Sequence, residues 1–317
     1  MSATKSFFRW TLQLILLFVL FVVFFNIGSV AVLDLVRDNV TSDPGWVPAT
    51  TVLLVIVLAD LLVIAMLILT SRWSGWKLAV SLALAHYGAV TFLMQIETSY
   101  FLSSTTITSQ LLRRLFLMGI PTSFLFIPLA VWILGKGRAI ADTSPNLALV
   151  MPTKQWIWKL AAIAVVYLVL YWVGGYFVAW YNPDDLRVFY GQPGDALPFL
   201  AHTANTLRND PMLFPFQILR GLLWTLCALP IIRGSKVNPW WTALMVGLLF
   251  SVPQNLAYII NSPFKPISSV RLSYMMETAS STFIFGTIVV WLLHREHHSF
   301  GDLVTKFTKS ARANIGK

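Results

Sequence analysis

Residues 270–293 read VRLSYMMETASSTFIFGTIVVWLL, and this stretch decides the class of fold. A helix needs about 20 predominantly apolar residues to cross the hydrocarbon core of a bilayer, and this stretch is long and apolar enough. It carries one acid, Glu277, about two turns inside its start. An ionised carboxylate in the bilayer costs roughly 2.5–3.5 kcal/mol, so such residues face other helices or a water-filled cavity. We therefore expect a bundle of membrane helices in which Glu277 faces polar partners.

The composition extends this interpretation to the whole chain. Of the 317 residues, 57% are hydrophobic and 11% are charged, and the mean hydropathy is +0.71. Soluble proteins carry about 25% charged residues, so this composition indicates a membrane protein. We predict an all-α integral membrane protein that forms a single polytopic domain over residues 1–317. Its eight predicted transmembrane helices are 11–33, 49–71, 78–102, 114–135, 156–180, 213–233, 239–261 and 270–294.

The distribution of Lys and Arg predicts how the bundle is oriented. If the N-terminus lies in the cytoplasm, fifteen of the 23 Lys and Arg residues fall on the cytoplasmic side and eight on the outer side. Cytoplasmic segments of membrane proteins carry such an excess. We therefore predict that both termini are cytoplasmic, in the cytoplasmic (inner) membrane, the plasma membrane of a bacterium. Asn39, Val40 and Thr41 form a glycosylation triplet that has meaning only in a eukaryote.

The net charge of +10 follows from the same asymmetry, so it predicts no nucleic-acid partner. The basic cytoplasmic tail, 299–317, is expected to lie on the anionic surface of the lipid bilayer. The chain has no HExxH, Walker or GxSxG motif, and its single cysteine, Cys227, lies within a predicted helix. We therefore expect no metal site and no cofactor.

The loop 136–155 has the composition of a linker between two halves, 1–150 and 151–298. The sequence from Arg114 onward, RLFLMGIPTSFLFIPLAVWIL, resembles the sequence from Arg271 onward, RLSYMMETASSTFIFGTIVVWLL. Two halves of four helices each would be a parallel repeat, which is a common plan among transporters. The alternative is a chance match between two apolar sequences.

Five polar residues are predicted to lie at one depth of the bundle. With a rise of 1.5 Å per residue, Glu277, Arg220, Glu97, Gln254 and Asn255 all lie about 7–9 Å below the outer boundary. They belong to four different predicted helices. This convergence predicts a polar site that is open to the outside.

We predict that Arg220 lies between Glu97 and Glu277, because a guanidinium donates up to five hydrogen bonds. Gln217 lies three residues before Arg220 on the same helical face. The predicted substrate-binding residues are Arg220, Glu97, Glu277, Gln254, Asn255 and Gln217. The alternative is an ion-paired network that only holds the helices together.

A second polar pair is expected near the middle of the membrane. Asp60 and His86 lie on helices that a short loop connects, so a hydrogen bond between them is within reach. Eleven residues separate His86 from Glu97, which is close to three helical turns. A proton relay from Asp60 through His86 to Glu97 is one hypothesis. The alternative is a core histidine bonded to a backbone carbonyl.

Three classes of function fit this pattern. The first is a transporter or binding protein for a small polar or anionic solute or a lipid, in which Arg220 receives an anionic group and a glutamate exchanges protons. The second is a membrane enzyme acting on a lipid-linked substrate at the outer leaflet, with the loop 181–212 as a lid. The third is an accessory subunit of a membrane complex. The hydroxyl-rich surroundings of Glu277 favour its ionised form, and the apolar neighbours of Glu97 favour a protonatable group.

Overall fold

The computed structural model describes residues 3–36, 47–102, 107–138, 146–181, 184–259 and 267–304, which form helices and turns. Eight helices of this part are long and apolar enough to cross a membrane, which confirms the predicted class of fold. The glycosylation triplet, most of the tail 299–317 and the middle of the loop 136–155 lie outside the described residues. The orientation and the two-half division remain predictions.

The first four membrane crossings use six α-helices. They are α1 (Ala3–Val36), α2 (Ala49–Thr70), α3 (Gly75–His86), α4 (Leu93–Leu102), α5 (Ser109–Met118) and α6 (Ile127–Ile133). A π-helical segment, Tyr87–Phe92, joins α3 to α4, and a second one, Pro121–Phe126, joins α5 to α6. The fourth crossing therefore begins at Ser109, five residues before its predicted start.

The remaining crossings use α7 (Thr153–Gly174), α10 (Leu213–Gly234), α11 (Pro239–Asn255) and α12 (Ser268–Leu293). The π-helical segment Gly175–Trp180 extends α7, and a short 3₁₀ turn, Leu256–Ile259, extends α11. Outside the crossings lie α8 (Asp184–Phe189), α9 (Phe199–Asn209) and α13 (Phe300–Val304).

The core is apolar, and α11 and α12 pack closely within it. A Cβ atom built on Gly286 of α12 would lie only 3.0 Å from the Cα atom of Gly247 on α11. Small residues permit this kind of close backbone approach between membrane helices. The close packing fixes α12, which carries Glu277 nine residues before Gly286, beside α11.

The two ends of the bundle are distinct. At one end, which we call the basic end, backbone carbonyls accept the hydrogen bonds that tie the connections together: Arg72 N–H donates to the carbonyl of Gly234 at 2.7 Å, and Lys136 Nζ donates to the carbonyl of Ser71 at 2.7 Å. The opposite end, which we call the cavity end, contains α8 and α9. There, side chains make the ties: Arg114 pairs with Asp34 at 2.5 Å, and the Tyr100 hydroxyl donates to the carboxylate of Asp210 at 2.8 Å.

Candidate functional site

Arg220 lies on the inner face of α10, among groups from two other helices. Its guanidinium contacts the carboxylate of Glu97 on α4 in an ion pair. On its own helix, Nη1 donates to Oε1 of Gln217 at 2.9 Å. The ring centroids of Tyr167 on α7 and Phe216 on α10 each lie 5.8 Å from the guanidinium carbon. The side chain of Arg220 is 5% exposed, so these partners replace most of its hydration.

A glycine allows this arrangement. A Cβ atom built on Gly221 would lie 2.8 Å from Cβ of Tyr167 and 3.0 Å from its ring carbon Cγ. The absence of a side chain at Gly221 therefore lets Tyr167 pack directly against α10, next to Arg220. The residue that follows Arg220 in the sequence thus positions the ring that faces it.

A small cavity of about 30 Å³ lies beside Arg220. Glu97, Glu277, Gln254 and Trp224 are among its lining residues. A cavity of this volume has room for about two water molecules. Oε1 of Gln254 is buried and has no hydrogen-bond partner among the described residues, so it offers an acceptor there. Below this point the indole of Trp224 packs on Phe250, with ring centroids 4.5 Å apart.

A much larger cavity of about 380 Å³ lies above the small one, at the cavity end. Glu97, Glu277, Met94 and Tyr171 line both cavities, so they form the boundary between the two. Helix α9 contributes part of the wall through His202, Asn205, Thr206 and Asn209. The loop 181–212, which the sequence suggested as a lid, therefore supplies a wall of the cavity in this structure.

Aromatic residues form a continuous wall of the large cavity. The rings of Trp180 and His202 have centroids 5.1 Å apart, and those of Trp180 and Tyr190 are 6.2 Å apart. The hydroxyl groups of Tyr190 and Tyr274 are in contact, and Tyr274 stacks on Tyr258 at 5.9 Å. This wall was not predicted from the sequence, because most aromatic residues of membrane proteins belong to the interfacial belts. One signal was present: Tyr274 lies three residues before Glu277, on the same helical face.

Two groups of the cavity wall lie outside the membrane-spanning helices and have shifted pKa values. Burial, together with the negative charges of Glu97 and Glu277, raises the pKa of Tyr190 above its ordinary value of 10.0. Burial lowers the pKa of His202 below 6.5. At neutral pH both groups are therefore uncharged, and neither adds positive charge to the cavity.

Glu277 lies on α12 and is 8% exposed. The hydroxyl of Ser281 donates to its Oε1 at 3.4 Å, and the backbone of Gly174 on α7 lies beside it. The three predicted ionic residues thus border the same small cavity. The guanidinium contact, however, involves Glu97, the carboxylate that the sequence analysis expected to be protonatable. The structure thus pairs Arg220 with Glu97, and the assignment of protonation roles to the two carboxylates stays a prediction.

Two of the predicted binding residues serve the scaffold. Asn255 does not line either cavity. Its Nδ2 donates to the carbonyl of Ser251 at 2.6 Å, and its Oδ1 accepts a hydrogen bond from Thr278, which ties α11 to α12. Gln217 is fully buried and acts on Arg220 rather than on the cavity.

The predicted relay lacks the hydrogen bond between Asp60 and His86 on which it depends. Nδ1 of His86 lies 2.9 Å from the hydroxyl of Ser123, and neither Nε2 of His86 nor Oδ1 of Asp60 has a hydrogen-bond partner among the described residues. The π-helical segment between His86 and Glu97 has i→i+5 hydrogen bonds and more residues per turn than an α-helix. The count of three α-helical turns therefore does not place His86 and Glu97 on one face, and only Glu97 lines the cavities.

Within the described residues, no three His, Cys, Asp or Glu side chains lie close enough together to share a metal ion. No family model matches the chain, and no curated protein or solved structure is detectably similar to it.

Proposed function

We propose that this protein is a membrane transporter or binding protein for a small solute, with the large cavity as the binding site. The observation that carries the proposal is the volume and position of that cavity. Ligand pockets typically measure about 300–1,000 Å³ and combine apolar walls with a few polar groups. The cavity of about 380 Å³ has aromatic walls, and Glu97 and Glu277 lie at its floor. Carboxylates buried among membrane helices are typical of solute and proton pathways.

The opposite end of the bundle is closed, as expected for a transporter whose site is open to one side. Beneath Arg220 the path is closed by Trp224 and Phe250, which are both buried. At the basic end a cavity of only about 20 Å³ lies between Thr70, Ser81 and Ser235. A large cavity at one end and a small one at the other are what a transporter presents when its site is accessible from one side.

We assign the cavity end to the exterior, because the excess of Lys and Arg belongs to the opposite end. Reporter fusions after residues 140 and 200 test this assignment, and the expected locations are the cytoplasm and the exterior. Reversed locations would place the cavity on the cytoplasmic side.

Thiol labelling of the protein in sealed vesicles tests alternating access. In a Cys227→Ser background, Thr206→Cys places a thiol in the large cavity and Ser81→Cys places one in the small cavity at the basic end. A transporter that exchanges spontaneously between two states exposes each thiol to a membrane-impermeant reagent from its own side. The exposed positions Leu200 and Lys236, each replaced by Cys, serve as labelling controls for the two ends.

Failure of Ser81→Cys to react, while Lys236→Cys reacts from the same side, would contradict transport. The protein would then be a binding protein, an accessory subunit or an enzyme acting on a lipid-linked substrate. The geometry favours the enzyme least. Arg220, which such an enzyme would use to hold a phosphate, is in contact with Glu97 beside a cavity with room for about two water molecules.

A further inference from the structure

The charge of the large cavity is the first step toward the class of its ligand. Its described lining residues include three carboxylates, Glu97, Glu277 and Asp210, and no described Lys or Arg. The adjacent small cavity adds one guanidinium, that of Arg220. Three carboxylates against one guanidinium leave a formal excess of negative charge among the described residues that line the two cavities, and the buried Arg187 and Arg271 line neither cavity. An anionic solute would meet this excess before it could approach Arg220.

The position of Arg220 strengthens this conclusion. The guanidinium lies below the floor formed by Glu97 and Glu277 and lines only the small cavity. Its Nη2 contacts Glu97 and its Nη1 donates to Gln217. A solute in the large cavity therefore faces the carboxylates and not the guanidinium. The sequence-based hypothesis of an anionic group bound to Arg220 does not fit this geometry.

The aromatic wall is the second, independent observation. Eight of the residues lining the large cavity are Phe, Tyr or Trp. Trp180, Tyr190, Tyr274 and Tyr258 follow one another around the wall through ring and hydroxyl contacts. Aromatic rings attract cations through their quadrupole, and clusters of rings recognise quaternary ammonium groups. A carboxylate floor below an aromatic wall complements an alkylated ammonium group in both charge and apolar surface.

We propose that the large cavity binds an organic cation, an amine or a quaternary ammonium compound, between the aromatic wall and the carboxylates of Glu97 and Glu277. This inference rests on the proposed function only in taking the large cavity as the solute site. It does not depend on transport. Cavities of this volume hold molecules as large as small drugs, so choline and tetraethylammonium both fit.

Isothermal titration of the purified protein in nanodiscs tests the inference with four probes. Choline and tetraethylammonium are the cations. The compound 3,3-dimethyl-1-butanol is the neutral control, since it replaces the nitrogen of choline by carbon, and glucose represents neutral polar solutes. We expect saturable binding of the two cations and at least about tenfold weaker binding of the neutral isostere.

Substitutions test whether choline binds in the large cavity and not elsewhere on the protein. Glu277→Gln should weaken choline binding by about 10- to 100-fold, because it removes a charge-assisted contact. Glu296→Gln, at the basic end, is the charge-matched control and should leave binding unchanged. Trp180→Leu should weaken binding by about 3- to 30-fold, and Trp180→Tyr, which keeps an aromatic ring, should restore most of the affinity. Trp241→Leu, on the exposed start of α11, is the control for loss of a Trp.

The outcomes distinguish this inference from the proposed function. Cation binding without flux of radiolabelled choline in proteoliposomes upholds the inference and contradicts transport of choline. Equal affinity for choline and its neutral isostere, binding of glucose alone, or no saturable binding of either cation would overturn the inference. Should Glu277→Gln fail to fold, the comparison of Trp180→Leu with Trp180→Tyr decides alone, and equal affinities of these two variants would also overturn it.

Discussion

The two ends of the bundle use polar residues in different ways. At the basic end, cationic side chains are bonded to backbone carbonyls: Lys136 to Ser71 at 2.7 Å, and the fully buried Lys159 to Arg295 at 2.8 Å. At the cavity end, carboxylates line a space of about 380 Å³. Charged side chains are therefore bonded to the backbone at one end and border a cavity at the other. Burial of a charged side chain does not by itself indicate a binding site, since the fully buried Lys159 lines none of the three cavities.

The largest expected effect comes from breaking the ion pair between Arg220 and Glu97 below the cavity. Arg220→Gln leaves Glu97 among buried groups without its guanidinium, which should lower the free energy of unfolding by roughly 3–5 kcal/mol. The double variant Arg220→Gln/Glu97→Gln should recover part of this loss, because no charge then remains unpaired. Thermal unfolding in detergent measures both.

The ion pair between Arg114 and Asp34 is the matched control. It also lies at the cavity end, but its side chains are 31% and 62% exposed. Arg114→Gln should therefore cost less than about 1 kcal/mol. Equal losses for Arg114→Gln and Arg220→Gln would show that the pair below the cavity has no special role in stability.

The second effect concerns the packing beside Arg220. Gly221→Ala introduces a Cβ atom 2.8 Å from Cβ of Tyr167, and such overpacking typically costs about 1–3 kcal/mol. The displaced Tyr167 should also disturb the floor of the cavity and weaken choline binding. Gly175→Ala is the control for stability alone, since a Cβ atom there meets nothing within 4 Å but would lie in the wall of the large cavity. Unchanged unfolding temperature and unchanged binding in Gly221→Ala would contradict the role assigned to this close approach.

The third prediction tests whether the basic end affects binding at the cavity end. Lys159→Met keeps the length of the side chain but removes the hydrogen bond to the carbonyl of Arg295, at a cost of about 1–3 kcal/mol. Because Lys159 lies at the basic end of the bundle, stability should fall while the affinity for choline stays constant. A loss of affinity as large as that of Glu277→Gln would mean that the two ends are not independent.

The helix count and the contact between Glu97 and Arg220 followed from the sequence. Apolar run length sets the number of crossings, and a constant rise per residue sets the height of a side chain. Rotation about each helix axis is harder to predict, because a π-helical segment such as Tyr87–Phe92 changes which face a later residue occupies. For this reason, the predicted alignment of His86 and Glu97 on one helical face was wrong. The aromatic wall was missed because ring contacts between Trp180, Tyr190 and Tyr274 depend on tertiary packing.

The smallest effect lies at the basic end and depends on pH. The backbone N–H of His298 donates to the carboxylate of Asp302 at 3.1 Å, and Arg295 lies 2.9 Å from it. The hydrogen bond from His298 is the main cause that lowers the pKa of Asp302 below 3.8, and Arg295 adds to it. A lowered pKa in the folded state means that this stabilisation is present at neutral pH and is lost as the pH falls below about 4.

Unfolding temperatures of the wild type and of Asp302→Asn between pH 7 and pH 3 measure this contribution. The wild type should be slightly more stable at pH 7, and the difference should vanish toward pH 3. A difference that grows on acidification would contradict the assigned pKa direction. Choline binding should be the same in both proteins at pH 7.

Binding of an organic cation between the aromatic wall and the carboxylate floor can be observed in a crystal of a complex. Arsenocholine, the arsenic analogue of choline, tests it most directly, because arsenic gives an anomalous signal in a crystal of the complex. In crystals soaked near the wild-type dissociation constant, we expect an anomalous peak inside the cavity, bordered by Trp180, Tyr274 and Glu277, and a much weaker peak in Glu277→Gln crystals soaked at the same concentration. A peak found only outside the cavity, or an equal peak in both crystals, would contradict it.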